Sequence, residues 1–192
     1  MIPSGMSQQP TLPIQVIDHV SGSEEAVLTI IKYGCYQCPS SAQTYGLIRT
    51  MQQRLGQRVR FIFRHFPQTD LYPRAQRAAE AAEAAAAQGK FWPMHNLLFE
   101  RQQALNDDHL VAYAAELELE MSQFLKDLSG RVYEQRIQSN LFSGIRSGVT
   151  STPTLFINGI HQNGDNRLIQ LMTSVIDACY DPTSLDQRDK HR

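Results

Sequence analysis

Apolar residues along this chain recur with two different periods, and the order of those periods outlines an α/β fold. Val27 to Tyr33 is a short run rich in β-branched residues, the signature of a buried central strand. From Pro39 the spacing changes. Leu47, Ile48, Met51 and Leu55 fall on one face of a helix, and Gly56 is placed to cap its C-terminus. Proline suits the first turn of that helix, where a missing N–H costs nothing. Val59 to His65 returns to alternation and predicts a second strand. Strand, helix and strand in this order make a βαβ unit with parallel strands. Upstream, Ile14 to Val20 reads as an edge strand, followed by a turn over Ser21-Gly22-Ser23-Glu24-Glu25.

A long block of helical spacing follows. Pro73 to Gln88 carries alanines at 75, 78, 79, 82, 85 and 86, a flat face suited to close helix packing, and Gly89 ends it. Phe91 to Leu98 is a short helix holding Trp92 and His95. Asp107 or Asp108 caps another to about Leu117, Ser122 opens a further one, and Arg131 to Ser147 is the last before Gly148. Strand character then returns at Thr154 to Ile157. Asn158-Gly159 is a strong two-residue hairpin turn, and Ile160-His161 begins the return strand. Leu168, Leu171, Met172, Val175, Ile176 and Cys179 predict a final amphipathic helix. The expected organisation is a flexible tail over 1–13 and one α/β domain built from 14–69 and 149–181. A helical insertion over 70–148 and a second tail over 182–192 complete it.

Composition narrows the function classes. With 192 residues the chain can bury a full core without disulfide staples. A net charge of −1 and the lack of any basic block argue against nucleic acid or an anionic membrane as partner. No apolar stretch is long enough to span a bilayer. Met1 to Pro13 has neither a basic segment nor an apolar one of the secretory kind, so the expected location is cytoplasmic, or periplasmic if the N-terminus has been trimmed. The sequence does not give the oligomeric state.

Three cysteines are too few for a disulfide framework at this size. Two of them, Cys35 and Cys38, lie at the junction of the central strand and the first helix. A thiol there meets the partial positive charge of the helix N-terminus, which favours thiolate. Two cysteines without a close histidine make only half of a zinc site, so no metal is expected. Lys32, at the strand end, reads as a snorkelling lysine, the alternative being a lysine close enough to the cysteines to favour thiolate, and Arg58, Arg60 and Arg64 read as strand-flanking surface or edge residues. His65 reads as a packed, hydrogen-bonded histidine. Trp92 and His95 read as packing residues, with Trp92 also a candidate for the substrate surface. Cys179 reads as a buried, inert thiol.

Several segments carry a resemblance. They are Asp18-His19-Val20, Tyr33-Gly34, Phe63-Arg64-His65-Phe66-Pro67, Ala78-Ala79-Glu80-Ala81-Ala82, Gly89-Lys90-Phe91-Trp92-Pro93-Met94-His95 and Ser147 through Gly159. Taken together, the chain from Asp18 to about Ala178 resembles the DsbA-like branch of the thioredoxin superfamily. It is most similar to the soluble bacterial members also found fused to sodium/proton antiporters. The resemblance implies a thioredoxin fold (βαβ plus β-hairpin-α) with an inserted helical domain. It also implies thiol–disulfide chemistry without a bound cofactor, although glutathione could serve as co-substrate.

In that family the active site is Cys-Pro-x-Cys at the start of the first helix. Cys38-Pro39 matches the nucleophile and its proline, but the second cysteine falls at position 41, where this chain has Ser41. Ser41 can hydrogen-bond a Cys38 thiolate; it cannot resolve a mixed disulfide, which requires a thiolate. Cys35 stands where the family usually has an acidic residue. If the loop entering the helix forms a turn, Cys35 comes within disulfide range of Cys38 and becomes a displaced resolving thiol. If the loop is extended, Cys38 is a monothiol. Thr152-Pro153 matches the family's cis-proline position, whose backbone can pair with an extended substrate. The site residues expected are therefore Cys38 and Cys35 as catalytic thiols, Ser41 and Pro39 as tuning residues, and Thr152 and Pro153 as substrate-binding residues.

Three functions follow as expectations. The first is a thiol–disulfide oxidoreductase acting on a thiol- or disulfide-containing protein or on glutathione. The second is a monothiol, glutathione-linked enzyme of glutaredoxin or transferase type. The third is a redox-inactive binding module that holds a peptide in the cis-proline groove.

Overall fold

A central strand buried on both faces anchors the molecule, a computed structural model that describes residues 12–162. This strand, β2 (Leu28–Gly34), pairs in parallel with β3 (Val59–His65) and antiparallel with β4 (Thr154–Ile157). β1 (His19–Ser21) adds antiparallel to β3 at one edge, and β5 (Ile160–Gln162) to β4 at the other. Among the described residues the sheet order is β1-β3-β2-β4-β5. This is the α/β order that the periods predict and the thioredoxin fold that the resemblance implies.

The edge strand differs from its sequence reading. It begins at His19, and residues 14–18 form a turn instead, closed by the Gln15 N–H on Asp18 Oδ2 at 2.7 Å. Asp18 is diverted to an internal partner, described below. Val27 likewise stays outside β2 and is 77% exposed.

Side chains alternate across β2 as pleating requires. Ile30 and Lys32 face the layer containing α1 (Pro39–Leu55) and α3 (Phe91–Glu100). Ile31 and Tyr33 face the opposite side, where Ile62, Phe66, Val149 and Phe156 complete a second, smaller core. Gly34 ends β2 against β3. A Cβ there would meet the Phe63 ring at 2.6 Å, so glycine is needed for the close approach.

Between β3 and β4 stand α2 (Ala75–Ala86), α3, α4 (Asp107–Glu116), α5 (Met121–Ser129) and α6 (Glu134–Arg146). The alanine face of α2 is fully packed, with Ala78, Ala81, Ala82, Ala84 and Ala85 in the main core. Two helix caps differ from the sequence reading. Asn106, rather than Asp107 or Asp108, caps α4 by accepting the His109 N–H, and Glu120 caps α5 through the N–H groups of Ser122 and Gln123. The Asp107 and Asp108 carboxylates sit in the first turn, where the helix dipole favours them. The hairpin turn has Asn158 at φ 47° and Gly159 at φ 80°, the two left-handed positions of a type I′ turn. The predicted final helix over 168–179, with Cys179, lies outside the described residues.

Two charged strand residues expected near the surface are in the core. Arg64 is 0% exposed. Its Nε and Nη2 donate to Asp18 Oδ1 and Oδ2 at 2.8 and 2.7 Å, Nη1 to the Tyr33 hydroxyl at 2.9 Å, and Nη2 to the Pro13 carbonyl at 2.7 Å. The paired carboxylate is equally closed off. This bidentate geometry is what allows a guanidinium inside a core. Lys32 is the other, and it belongs to the site.

Candidate active site

The chain leaves β2 at Gly34, makes a tight turn, and enters α1 at Pro39. The turn is closed by the Cys38 N–H on the Cys35 carbonyl at 3.2 Å. Cys35 and Cys38 are thus its first and last residues, and such a turn holds its ends within about 7 Å between Cα atoms. That range overlaps the roughly 4.4–6.8 Å of disulfides. Both cysteines are reduced and almost closed off, at 2% and 3% exposure, in a small cluster with Ala75 and Tyr72. Gln102, just after α3, fixes the turn from outside. Its Nε2 donates to the carbonyls of Tyr36 and Cys38 at 2.6 and 2.8 Å.

Cys38 is the N-cap of α1. Burial alone would raise its thiol. Hydrogen bonds involving Thr152, the Ser41 backbone N–H, the Ser41 hydroxyl and the Tyr72 hydroxyl outweigh it, and the net direction is downward. Cys35 moves the other way, pushed up chiefly by burial. The two thiols are therefore moved in opposite directions, Cys38 toward the thiolate and Cys35 toward the thiol.

Ser41 lies one turn into α1, is fully buried, and uses each of its polar groups. Its hydroxyl oxygen accepts the Cys35 N–H at 3.4 Å, and its carbonyl accepts Lys32 Nζ at 2.7 Å. Lys32 does not snorkel. It is 0% exposed, with Nζ also 4.5 Å from the centre of the Phe99 ring. Its place in the strand explains this: two residues after Ile30, it points into the same core, and the strand end leaves no path to water. Burial lowers its pKa from 10.5 to about 7.

Thr152 and Pro153 lie before β4, joined by a cis peptide, and bring the Thr152 carbonyl to 3.3 Å from Cys38 Sγ, which donates to it. The backbone there was expected to be free for a substrate strand. In the structure the Thr152 N–H instead donates to Gln68 Oε1 at 3.2 Å, and the Thr152 hydroxyl donates to the same oxygen at 2.8 Å. Gln68, Tyr72 and Gln102 are the site residues that sequence reasoning missed. They come from loops whose approach to the cysteines depends on tertiary packing, and no local pattern marks them.

The other candidates lie apart from the sulfurs. Trp92 donates to the Val20 carbonyl at 3.2 Å and packs on Phe61, and His95 is buried against the Tyr36 hydroxyl at 2.9 Å. His65 is buried, with Nε2 on Glu83 Oε1 at 2.8 Å. His19 Nε2 meets the same oxygen at 2.8 Å, so His19, His65 and Glu83 converge within 4.8 Å in a set with metal-ligand chemistry. Arg136 already occupies that carboxylate through Oε2 at 2.8 Å, and its Nη2 lies 3.1 Å from His19 Nε2. A divalent ion there would leave one carboxylate facing three positive charges in a buried site, so the cluster is read as a structural ion network.

Comparison with known proteins agrees with this fold. The sequence profile of the family described as Thioredoxin matches residues 15–178. The chain belongs to the thioredoxin family. Solved structures share its fold at low identity. A thioredoxin-like oxidoreductase from Silicibacter pomeroyi superposes with a TM-score of 0.69 at 21% identity, covering 84% of this chain and 92% of that one. Oxidised BdbD from Bacillus subtilis gives 0.69 at 19% identity, covering 82% and 92%. Alpha-DsbA1 from Wolbachia pipientis gives 0.69 at 19%, covering 88% and 94%. Among curated relatives, the Na(+)/H(+) antiporter NhaA 1 of Salinispora arenicola is 37% identical over 172 residues, covering 90% of this chain and 26% of the antiporter. The NhaA of Herminiimonas arsenicoxydans is 38% identical over 164 residues, covering 84% and 25%. The chain spans about a quarter of the length of these relatives. No helix among the described residues is long and apolar enough to cross a membrane.

Proposed function

We propose that the protein is a thiol–disulfide oxidoreductase in which Cys38 is the nucleophile and Cys35 the resolving thiol. The observation that carries this reading is the hydrogen-bonded turn that holds the two cysteines at its ends, with Cys38 alone on the helix cap. The Cys38 thiolate attacks one sulfur of a substrate disulfide, and the other sulfur leaves as thiolate and takes up a proton. Cys35 then loses its proton and attacks Cys38 Sγ, releasing the second substrate thiolate and leaving the Cys35–Cys38 disulfide. The reverse sequence oxidises a substrate dithiol. Ser41, Pro39 and Tyr72 support the thiolate. Thr152 and Pro153 receive the substrate backbone once Gln68 yields the Thr152 N–H. The structural neighbours, among them a thioredoxin-like oxidoreductase and a thiol–disulfide exchange protein, support this chemistry.

The test is mass spectrometry after mild oxidation with glutathione disulfide. Wild type is expected to give the internal disulfide, Cys35→Ser a glutathione adduct on Cys38, and Cys38→Ser no adduct at the site. Dithiol turnover by Cys35→Ser at the wild-type rate would refute the resolving role. Activity strictly dependent on glutathione in both proteins would identify a monothiol enzyme instead.

A further inference from the structure

Lys32 is a charged group in the core that the mechanism above leaves unused. Among the described residues no carboxylate pairs with it, and it is anchored instead on the first turn of the helix that Cys38 caps, where a thiolate raises its proton affinity. Its surroundings are specific. From α1 it is faced by the Ser41 carbonyl, one turn into the helix from the Cys38 cap, and from α3 by the Phe99 ring; Cys38 and His95, whose imidazole burial holds neutral, are the titratable groups coupled to it. β3 presents the Phe63 ring, and β4 presents Leu155. Ser41 ties ammonium and sulfur together: its carbonyl accepts from Lys32, while its hydroxyl and N–H serve Cys38.

We propose that Lys32 is the counter-ion of the Cys38 thiolate and exchanges its proton in step with the redox state of that sulfur. The proposal rests on Cys38 being the redox sulfur. In the disulfide or mixed disulfide the sulfur is neutral, the buried ammonium has no anion, and Lys32 gives up its proton. When two glutathione thiols reduce the Cys35–Cys38 disulfide, two electrons enter and two thiol protons are freed. One goes to Cys35 and the other to Lys32, leaving the Cys38 thiolate beside an ammonium and glutathione disulfide as product. The lowered pKa of Lys32 places this exchange near neutral pH. The coupling is reciprocal: whatever raises proton affinity at Lys32 when Cys38 is anionic lowers it equally at Cys38. Lys32 is thus a positioning residue for charge; it does not touch substrate.

The experiment follows the side-chain carbon signals of isotopically labelled lysine by NMR. The chain has four lysines, Lys32, Lys90, Lys126 and Lys190, and Lys32→Met identifies the buried one. Wild type is titrated with its thiols reduced and again after capping with methyl methanethiosulfonate. The titration midpoint of Lys32 is expected at least about a pH unit higher in the reduced protein, a tenfold change in proton affinity. An identical midpoint in both forms, or titration alongside the surface lysines, would overturn the proposal. Thiolate absorbance near the ultraviolet edge gives the second arm. Lys32→Met is expected to raise the Cys38 midpoint by a similar tenfold, and an unchanged midpoint refutes the pairing. Neither measurement requires turnover. A coupled Lys32 in a protein that never forms the internal disulfide would sink the oxidoreductase reading alone, and an uncoupled Lys32 in an active enzyme would sink this proposal alone.

Discussion

Burying an ammonium without a carboxylate has a cost that can be measured as stability. The fall of Lys32 from 10.5 to about 7 corresponds, at about 1.4 kcal/mol per unit, to a penalty of roughly 4–5 kcal/mol carried by the folded state. The perturbation is Lys32→Met, which keeps an unbranched apolar stem in the same slot. Losing the hydrogen bond to the Ser41 carbonyl and the contact with Phe99 subtracts about 1–2 kcal/mol. The expected net gain is about 2–4 kcal/mol. The sign with pH follows from the protons bound. Below pH 7 lysine is charged in both states and the penalty is complete. Between 7 and 10.5 the unfolded chain holds a proton that the folded one lacks, so the lysine protein gains stability as pH rises. Above 10.5 the penalty is gone. Urea unfolding of the two proteins at pH 6, 8 and 10 reads this directly. The advantage of methionine should be largest at pH 6 and shrink steadily. A methionine protein that is no more stable at pH 6, or an advantage that does not change with pH, would refute the argument.

Two further predictions concern the buried ion networks. Asp18→Ala strands the Arg64 guanidinium without its bidentate partner and should cost about 3–5 kcal/mol in urea unfolding, whereas replacing both residues by apolar ones should cost much less; equal losses would contradict the pairing. Glu83 is opposed by burial but held well below the usual carboxylate range by His19 and His65, so its contribution is complete above about pH 4.5 and is lost as pH falls below it. Between pH 5 and 3 wild type should lose stability more steeply than Glu83→Gln, and parallel acid profiles would refute that linkage.

The element order could be read from the chain because local signals and tertiary context agreed. β3 runs from Val59 to His65 as its alternation indicates, and the Asn158-Gly159 hairpin is the turn those residues favour. The charged core was missed for a definable reason. Lys32 and Arg64 each occupy an inward position of a strand whose neighbours on the same face are apolar, so period-two alternation predicts burial. The general rarity of buried lysine and arginine points the other way, and for these two residues alternation wins. What permits it is remote in sequence: Asp18 and Tyr33 for Arg64, and the helix carbonyl of Ser41 for Lys32. The same holds for Gln68 and Gln102, whose amides close on the backbone of the candidate site from loops 84 and 64 residues away.

A two-thiol site needs its sulfurs to differ, since two equal thiols would offer no preferred order of attack. In this chain the difference follows from where each cysteine sits relative to the start of α1. Cys38 stands on the cap and collects the helix N-terminus and the hydrogen bonds that stabilise an anion. Cys35 stands three residues earlier, in the turn, where burial keeps its proton on. A serine at position 41 helps keep them apart, because one oxygen holds the Cys35 backbone by its N–H and serves the Cys38 sulfur. Its carbonyl accepts from Lys32, the counter-ion proposed above. In the proposed mechanism, the serine that stands where the resemblance implies a resolving thiol therefore also supplies the frame in which Cys35, on the other side of the cap, takes that role.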